Sequence, residues 1–233
     1  MTSYHLLLFT FLGTYMRGIT SVSNFAAVGT STGHILVFRF DPAETLATGH
    51  LGTQTLDPSF HSSVTALASS KSIICGGNEN GDIFVHNVDF RGELNLACKF
   101  PGFGTSVTGM VCQAETDTIF ACFLSGHVRI YRPNIAEMSI EITAHVRSIT
   151  GIIIDPQGKF FATCGEDQFF QVWKTPDFTS SNYVNDMKNN VQLFCEKIEN
   201  RLCTGLAFLS DNRIAVASYD DESIVVFQKI NNV

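Results

Sequence analysis

The stretch AHVRSITGIIIDPQGKFFATCGEDQFFQVW, residues 144–173, decides the fold of this 233-residue chain. It contains a hydrophobic segment, a tight polar turn at Asp167 and a second hydrophobic segment that ends on Trp173. The same order occurs in four further units, and the last residues of the five units stand 48, 45, 42 and 54 positions apart: Phe38, His86, Tyr131, Trp173 and Phe227. This spacing is near the period of a four-stranded propeller blade, so the sequence predicts an all-β propeller of about five four-stranded blades.

The turns of the five units support this alignment. When the units are superposed on their last residues, a turn-forming residue falls at one equivalent position in each: Thr32, Asn80, Ser125, Asp167 and Asp221. In the first three units the next residue is Gly33, Gly81 or Gly126, as a hairpin with positive φ requires. The hydrophobic segments beside each turn are nearly continuous, which is typical of sheets covered on both faces.

Each pair of strands is predicted to follow an inner strand and to precede a fainter outer strand. For the first unit the inner strand is predicted at residues 11–16. The fifth unit is followed only by residues 228–233, so it lacks an outer strand of its own, and Leu6–Phe9 is the candidate for that place. We therefore expect an atypical strand segment at residues 1–15 and one propeller domain over residues 16–233. The Asn- and Ser-rich residues 175–190 are predicted to form a surface insertion.

Composition argues against several classes of function. Fifteen basic and 22 acidic residues give a formal charge of -7 without a run of Lys or Arg, so we expect no nucleic-acid partner. The seven cysteines are scattered and form no CxxC pair, which predicts buried reduced thiols, no metal site and no cofactor. The apolar segment at residues 6–12 lacks a basic n-region and is far shorter than the roughly 20 residues of a membrane span, so we predict no transmembrane segment.

Four polar side chains of the stretch at 144–173 are expected to bond to one another. The stretch closely resembles a WD40 repeat. In that family a His before the inner strand, a hydroxyl in the middle strand, the turn Asp and the strand-end Trp form a hydrogen-bonded chain. The resemblance implies this chain, a structural tetrad, for His145, Thr163, Asp167 and Trp173. Because it accounts for His145 and Asp167, and no nucleophile accompanies them, we interpret this pair as architectural rather than catalytic.

Longer segments narrow the resemblance. GTSTGHILVF at 29–38, PGFG at 101–104 and GEDQFFQVW at 165–173 are similar to the WD repeat-containing protein 54 family, and the similarity covers about residues 16–228. The resemblance implies about two further blades before residue 16, which this sequence lacks. Two alternatives stay open: a shortened chain, or five blades that close on themselves with Leu6–Phe9.

The resemblance implies a non-enzymatic scaffold or adaptor of the cytoplasm that binds other proteins, with self-association as a further expectation. In WD40 proteins the residue before the turn often faces the partner, and Arg and Tyr are common interface anchors. The candidate partner-binding rim comprises Ser31, Glu79, Leu124, Arg147, Glu166, Tyr219 and Asp220. Three of these residues are acidic, which predicts a partner with a basic patch. Two other classes stay open: a propeller hydrolase or lyase that uses carboxylates, and a structural subunit of a larger assembly.

Overall fold

The computed structural model describes residues 15–40, 47–55, 62–71, 73–178, 192–209, 213–219 and 221–228, with the backbone alone for residues 40 and 47–55. Strands and one short 3-10 helix form the regular structure of these residues. The prediction of an all-β chain built from four-stranded antiparallel sheets is confirmed. The chain divides into two compact units, Met1–Gly102 and Phe103–Val233.

The first unit contains two sheets, each with its four strands in sequence order. The first sheet consists of β1 (Met16–Val22), β2 (Phe25–Thr30), β3 (His34–Phe40) and β4 (Ala47–Thr55), and the second of β5 (Val64–Ser69), β6 (Ile73–Asn78), β7 (Ile83–Val88) and β8 (Leu94–Phe100). Buried residues of both sheets, among them Ile35, Val64 and Phe84, pack into one core. Every strand pair is antiparallel, so short hairpins suffice to connect them.

The second unit contains two four-stranded sheets and, within the described residues, one three-stranded sheet. The strands are β9 (Val107–Cys112), β10 (Ile119–Phe123), β11 (His127–Arg132) and β12 (Glu137–Thr143); β13 (Ile149–Ile154), β14 (Phe160–Gly165), β15 (Phe169–Lys174) and β16 (Gln192–Lys197); β17 (Cys203–Leu209), β18 (Arg213–Ser218) and β19 (Ile224–Gln228). The 3-10 helix, Pro133–Ile135, joins β11 to β12.

Aromatic side chains form the core between the sheets of the second unit. Phe161 on β14 lies 5.0 Å from Phe120 on β10 and stacks on Trp173 at 6.0 Å, measured between ring centroids. Phe170 on β15 stacks in the same way on Phe227 of β19, at 4.8 Å. These contacts explain the abundance of phenylalanine, because broad flat rings fill the space between stacked sheets. They also bury the strand-end residue Trp173 and pack the half-buried Phe227 against the core.

The hairpin turns have the backbone conformation that their glycines indicate. The φ angles of Gly33, Gly81 and Gly126 are 83°, 88° and 82°. Gln168, which occupies the same place in the fourth turn, also has a positive φ, of 71°. The positive φ stands at the last residue of each turn, a common end of a short hairpin loop, and Gln168 adopts it without being a glycine.

The prediction for the first inner strand was wrong in position. β1 runs over Met16–Val22 and begins where the predicted segment, 11–16, ends. Most of its residues are exposed, so the strand carries little of the continuous hydrophobic signal that marks the other inner strands. The predicted closing strand Leu6–Phe9 lies outside the described residues, as does most of the predicted insertion at 175–190.

Candidate functional site

Four buried side chains of the β13–β16 sheet form a continuous hydrogen-bonded chain. The indole Nε1 of Trp173 donates to the hydroxyl of Thr163 at 2.9 Å. The same hydroxyl lies 2.9 Å from Nε2 of His145, and Nδ1 of His145 lies 2.9 Å from Oδ1 of Asp167. Because a carboxylate can only accept, Nδ1 of His145 carries the imidazole proton, and Nε2 of the neutral ring accepts from the Thr163 hydroxyl. Every member of the set therefore has a partner.

Burial fixes the charge state of this set. It lowers the pKa of His145, and the neighbouring Asp167 carboxylate opposes that shift only in part. A neutral imidazole with one proton is the form that the hydrogen bonds require. Because His145 is 3% exposed and both ring nitrogens are engaged, the pair offers no free atom to a substrate.

The role of Asp167 is to hold two surface segments together. Its carboxylate accepts hydrogen bonds from the backbone N–H of Val146, at 3.1 Å, and of Phe169, at 3.2 Å. Val146 belongs to the loop before β13, and Phe169 begins β15. The buried chain thus fixes an exposed loop and an exposed turn in one arrangement, which is how a rigid scaffold presents binding residues.

The second sheet keeps only part of this pattern. Asn80, at the turn position, donates from its side chain to the Ser62 hydroxyl at 3.2 Å. His86, which replaces the strand-end Trp, is 1% exposed, and its Nδ1 has no hydrogen-bond partner. Burial lowers the pKa of His86 to about 4. His61, which precedes β5 in the sequence as His145 precedes β13, lies outside the described residues.

One backbone hydrogen bond marks the residue before the turn in all five sheets. The N–H of this residue donates to the carbonyl of the residue directly before the inner strand of the same sheet. The five bonds run from Ser31 to Tyr15 at 2.8 Å, Glu79 to Ser63 at 3.1 Å, Leu124 to Ser106 at 2.9 Å, Glu166 to Ser148 at 2.9 Å and Tyr219 to Leu202 at 2.7 Å. In the fifth sheet this place belongs to Tyr219. The alignment on strand ends assigned it to Asp220, because it did not allow for the longer turn between β18 and β19. Asp220 itself lies outside the described residues.

The rim residues of the first unit interact with their own loops. Oε1 of Glu79 accepts hydrogen bonds from the Ser62 hydroxyl, at 3.4 Å, and from the backbone N–H of Ser63, at 3.2 Å. The hydroxyl of Ser31 accepts from the N–H of Tyr15 at 3.0 Å. Both side chains therefore stabilise the entry to an inner strand.

The described rim residues of the second unit, together with Val146, form what we call the turn-face surface: Leu124, Val146, Arg147, Glu166 and Tyr219. All five are exposed; Val146 is 87% and Tyr219 71% exposed. Backbone bonds connect the segments that carry them. The N–H of His145 donates to the carbonyl of Gly126 at 2.9 Å, and the N–H of Ile198 donates to the carbonyl of Gln168 at 2.8 Å. The exposed apolar side chains of this surface thus belong to loops and turns that backbone hydrogen bonds hold in place.

Val146 is the residue of this surface that the sequence pattern missed. It precedes Arg147 in the loop that Asp167 holds, and a lone valine between two polar residues gives no periodic signal. Because the side chain of the preceding residue, His145, points into the protein, the sequence could have indicated that the side chain of Val146 points to solvent. The surface carries one positive and one negative side chain, Arg147 and Glu166. Of the three acidic rim residues, only Glu166 lies in the described part of this unit.

The cysteines are all reduced. Cys75, Cys122, Cys164 and Cys203 are buried, Cys98 and Cys112 are half-buried, and Cys195 is exposed. Burial raises the pKa of Cys164 to about 12, and it also raises the pKa of Cys203, so neither thiol ionises near neutral pH.

Among the described residues, no group of three His, Cys, Asp or Glu side chains is placed to hold a metal ion. None of the helices in that part of the chain has the length and apolar content that a membrane crossing requires.

Comparison with known proteins agrees with this architecture. The family model described as WDR54 matches residues 10–230. The chain belongs to the WDR54 family. It is 24% identical to WD repeat-containing protein 54 of Homo sapiens, over 93% of this chain and 64% of that protein. It is 26% identical to the Mus musculus protein of the same name, over 69% of this chain and 48% of that protein.

The chain thus spans about half to two thirds of the length of these relatives. A chain in the crystal structure of the mitotic checkpoint complex has the same fold, with a TM-score of 0.74 and 15% identity over 93% of this chain and 64% of that one. The WD-repeat relatives indicate a scaffold type of protein that acts through interactions, and propellers of this family are typically non-catalytic.

Proposed function

We propose that this member of the WDR54 family is a non-enzymatic adaptor that binds a partner protein through its turn-face surface. Exposed Val146, Tyr219 and Leu124 support the proposal, because large apolar and aromatic side chains on a surface favour a protein partner. Each stands on a loop or turn that is already ordered by backbone hydrogen bonds. Binding therefore loses little conformational entropy.

The charged side chains of the surface indicate the charge that the partner is expected to carry. Glu166 belongs to the turn-face surface, and Asp220 follows Tyr219 directly in the sequence. We therefore propose a partner segment that combines an apolar anchor with a basic patch. We further propose a cytoplasmic location, which fluorescence imaging of a tagged chain would test.

Catalysis has less support. An acid–base pair needs two carboxylates that converge on a substrate, whereas Glu166 and Asp167 are neighbours in one turn. The Asp167 carboxylate already accepts hydrogen bonds from His145, Val146 and Phe169. Its burial and its full set of partners favour the architectural role.

The test is affinity capture of partner proteins with the tagged chain, followed by quantitative mass spectrometry. Replacing Leu124 and Tyr219 together with serine is expected to reduce capture of the main partner at least tenfold. The matched control replaces Phe90 and Ile135, which are 80% and 49% exposed and lie outside the turn-face surface. The proposal is wrong if both double variants capture the partner equally well while keeping their unfolding temperatures.

The basic-patch hypothesis has its own variants. Reversing Glu166 and Asp220 to lysine is expected to weaken capture, most strongly at low ionic strength. If this double variant retains every partner while the Leu124 and Tyr219 variant loses them, the partner is recognised by its apolar anchor alone.

A further inference from the structure

A cleft of about 590 Å³ opens at the other end of the β9–β12 and β13–β16 sheets. The turn-face surface lies at the β10–β11 and β14–β15 turns, whereas this cleft lies at the β9–β10 and β13–β14 turns, and antiparallel strands place these turns at opposite ends. Its lining includes the polar residues Arg132, Gln157, Lys159, Lys174, Thr175 and Asp177.

The wall of the cleft is held in place by hydrogen bonds. Nε2 of Gln113 donates to the carbonyl of Gly158 at 3.0 Å, which ties the β9–β10 turn to the β13–β14 turn. The hydroxyl of Thr116 donates to Oε1 of Gln113 at 2.8 Å, and the N–H of Thr175 donates to the carbonyl of Lys159 at 2.9 Å. The cleft is therefore pre-formed, so a ligand would not need to order its walls.

Basic side chains gather at this cleft although the chain as a whole is acidic. Arg132, Lys159 and Lys174 line it together with one acidic residue, Asp177. Arg132 is oriented by Oε2 of Glu137, at 3.0 Å from its Nη2. Within the described residues, neither Lys159 nor Lys174 forms an ion pair, and both are exposed. Two ammonium groups are thus available to an anion.

A buried hydroxyl in the wall gives an independent indication of a ligand. Thr175 is 7% exposed, and its Oγ1 has no hydrogen-bond partner among the described residues. A buried polar group without a partner is uncommon and costs stability. An oxygen-rich ligand that enters the cleft would satisfy it after a small rotation, and the exposed amide of Gln157 would add a donor.

We propose that this cleft binds a phosphorylated serine or threonine carried on a peptide of a partner protein. A phosphate dianion matches the two exposed lysines, which form no ion pair within the described part of the chain, and the oriented Arg132. Its oxygens accept from hydroxyl and amide donors. Phe160 and Pro176 also line the cleft, and such apolar surface suits the residues that flank a phosphorylated side chain. This inference does not depend on the turn-face surface, which lies at the other end of the sheets.

The experiment measures retention of a fluorescent degenerate peptide library on the immobilised full chain. One library has a central phosphoserine or phosphothreonine, and the matched library has the unmodified residue. We expect at least tenfold greater retention of the phosphorylated library and its loss in the Lys159→Glu, Lys174→Glu double variant. The Lys71→Glu, Lys197→Glu variant makes the same change of charge at exposed lysines outside the cleft and should keep binding. Equal retention of both libraries, or equal loss in both variants, would overturn the proposal.

Two further arms identify the source of the phosphate and the role of the hydroxyl. Thr175→Val removes the unpartnered Oγ1, so it should leave the unfolding temperature unchanged and reduce retention at least threefold; unchanged retention would overturn the part assigned to Thr175. Inorganic phosphate that competes as well as the peptides would overturn the peptide assignment in favour of a free anion. Partner capture through the turn-face surface should be unchanged in the Lys159 and Lys174 variant, which keeps the two proposals separable.

Discussion

The indole Nε1 of Trp173 donates a 2.9 Å hydrogen bond to the hydroxyl of Thr163, and this hydroxyl lies 2.9 Å from Nε2 of His145. One fully buried oxygen thereby connects β15, β14 and the loop before β13. Because no water can replace it there, the two groups that depend on it would lose their partner together if it were removed.

Thr163→Val is therefore expected to lower the free energy of unfolding by about 2–3 kcal/mol, since it leaves two buried polar groups unsatisfied at nearly constant volume. Thr108→Val is the matched control, because the Thr108 hydroxyl is buried and has no hydrogen-bond partner in the described structure. That substitution should be neutral or slightly stabilising. Urea unfolding at pH 7 measures both, and equal effects would contradict the role assigned to Thr163.

The strands could be predicted from the sequence because stacked sheets impose continuous hydrophobic segments with a turn former between them. The predicted turn formers Thr32, Asn80, Ser125 and Asp167 all lie in the turns between consecutive strands, from the β2–β3 turn to the β14–β15 turn. The position of β1 was not predicted correctly, because its residues are mostly exposed and form no continuous hydrophobic segment. The positive φ of Gln168 could not be predicted either: a non-glycine residue holds this conformation with help from a long-range contact, the 3.1 Å bond from Asn200 N–H to its Oε1.

The candidate site was predictable where it depended on local pattern and not where it depended on pairing between strands. His145, Thr163, Asp167 and Trp173 lie within one repeat, and the resemblance of that repeat to a WD40 repeat implied the hydrogen bonds that join them. The place of Tyr219 depends on the register of β17 with β18, in which Cys203 lies opposite Ser218. A turn of different length shifts the alignment by one residue and leaves that register unchanged.

His86 makes the stability of the protein depend on pH. Its pKa falls from 6.5 to about 4 on folding because burial disfavours the charged ring. The unfolded chain therefore takes up a proton first, and this contribution to stability, complete above about pH 6.5, is lost as the pH falls toward 4. Between pH 7 and pH 5 the expected loss is about 2 kcal/mol.

His86→Phe should remove this part of the acid sensitivity, and urea unfolding at pH 7 and pH 5 measures it. The burial of His145 acts in the same direction, so some dependence on pH should persist in the variant. If wild type and His86→Phe lose the same free energy of unfolding between the two pH values, His86 does not cause the effect.

Arg129 is a buried cation that depends on one carboxylate. Its side chain is 6% exposed, its guanidinium lies 4.2 Å and 4.3 Å from the ring centroids of Phe103 and Phe123, and its Nε donates to Oε2 of Glu141 at 2.6 Å. Glu141→Gln leaves a buried charge without a counter-ion and should cost about 1–2 kcal/mol of unfolding free energy.

The control for this prediction is Glu137→Gln. Glu137 is 51% exposed and pairs with Arg132, so solvent screens the interaction and the expected cost is below about 0.5 kcal/mol. Thermal unfolding in low and high salt should show the Glu137 effect fading with salt and the Glu141 effect persisting. Two losses of the same size and the same salt dependence would mean that burial of Arg129 does not strengthen its ion pair.

Ala136, which ends the 3-10 helix after β11, has the left-handed conformation, with φ 51° and ψ 43°. Its N–H donates to the carbonyl of Pro133, and its exposed side chain contributes no packing. A Cβ is unfavourable in this conformation, so Ala136→Gly should raise the free energy of unfolding by about 0.5–1 kcal/mol. Ala114→Gly, at an exposed turn residue whose φ is not positive, should lower it by a similar amount, because there glycine only adds entropy to the unfolded chain. Urea unfolding of the two variants against wild type measures both signs, and a loss of stability in both would show that the backbone at Ala136 is not strained.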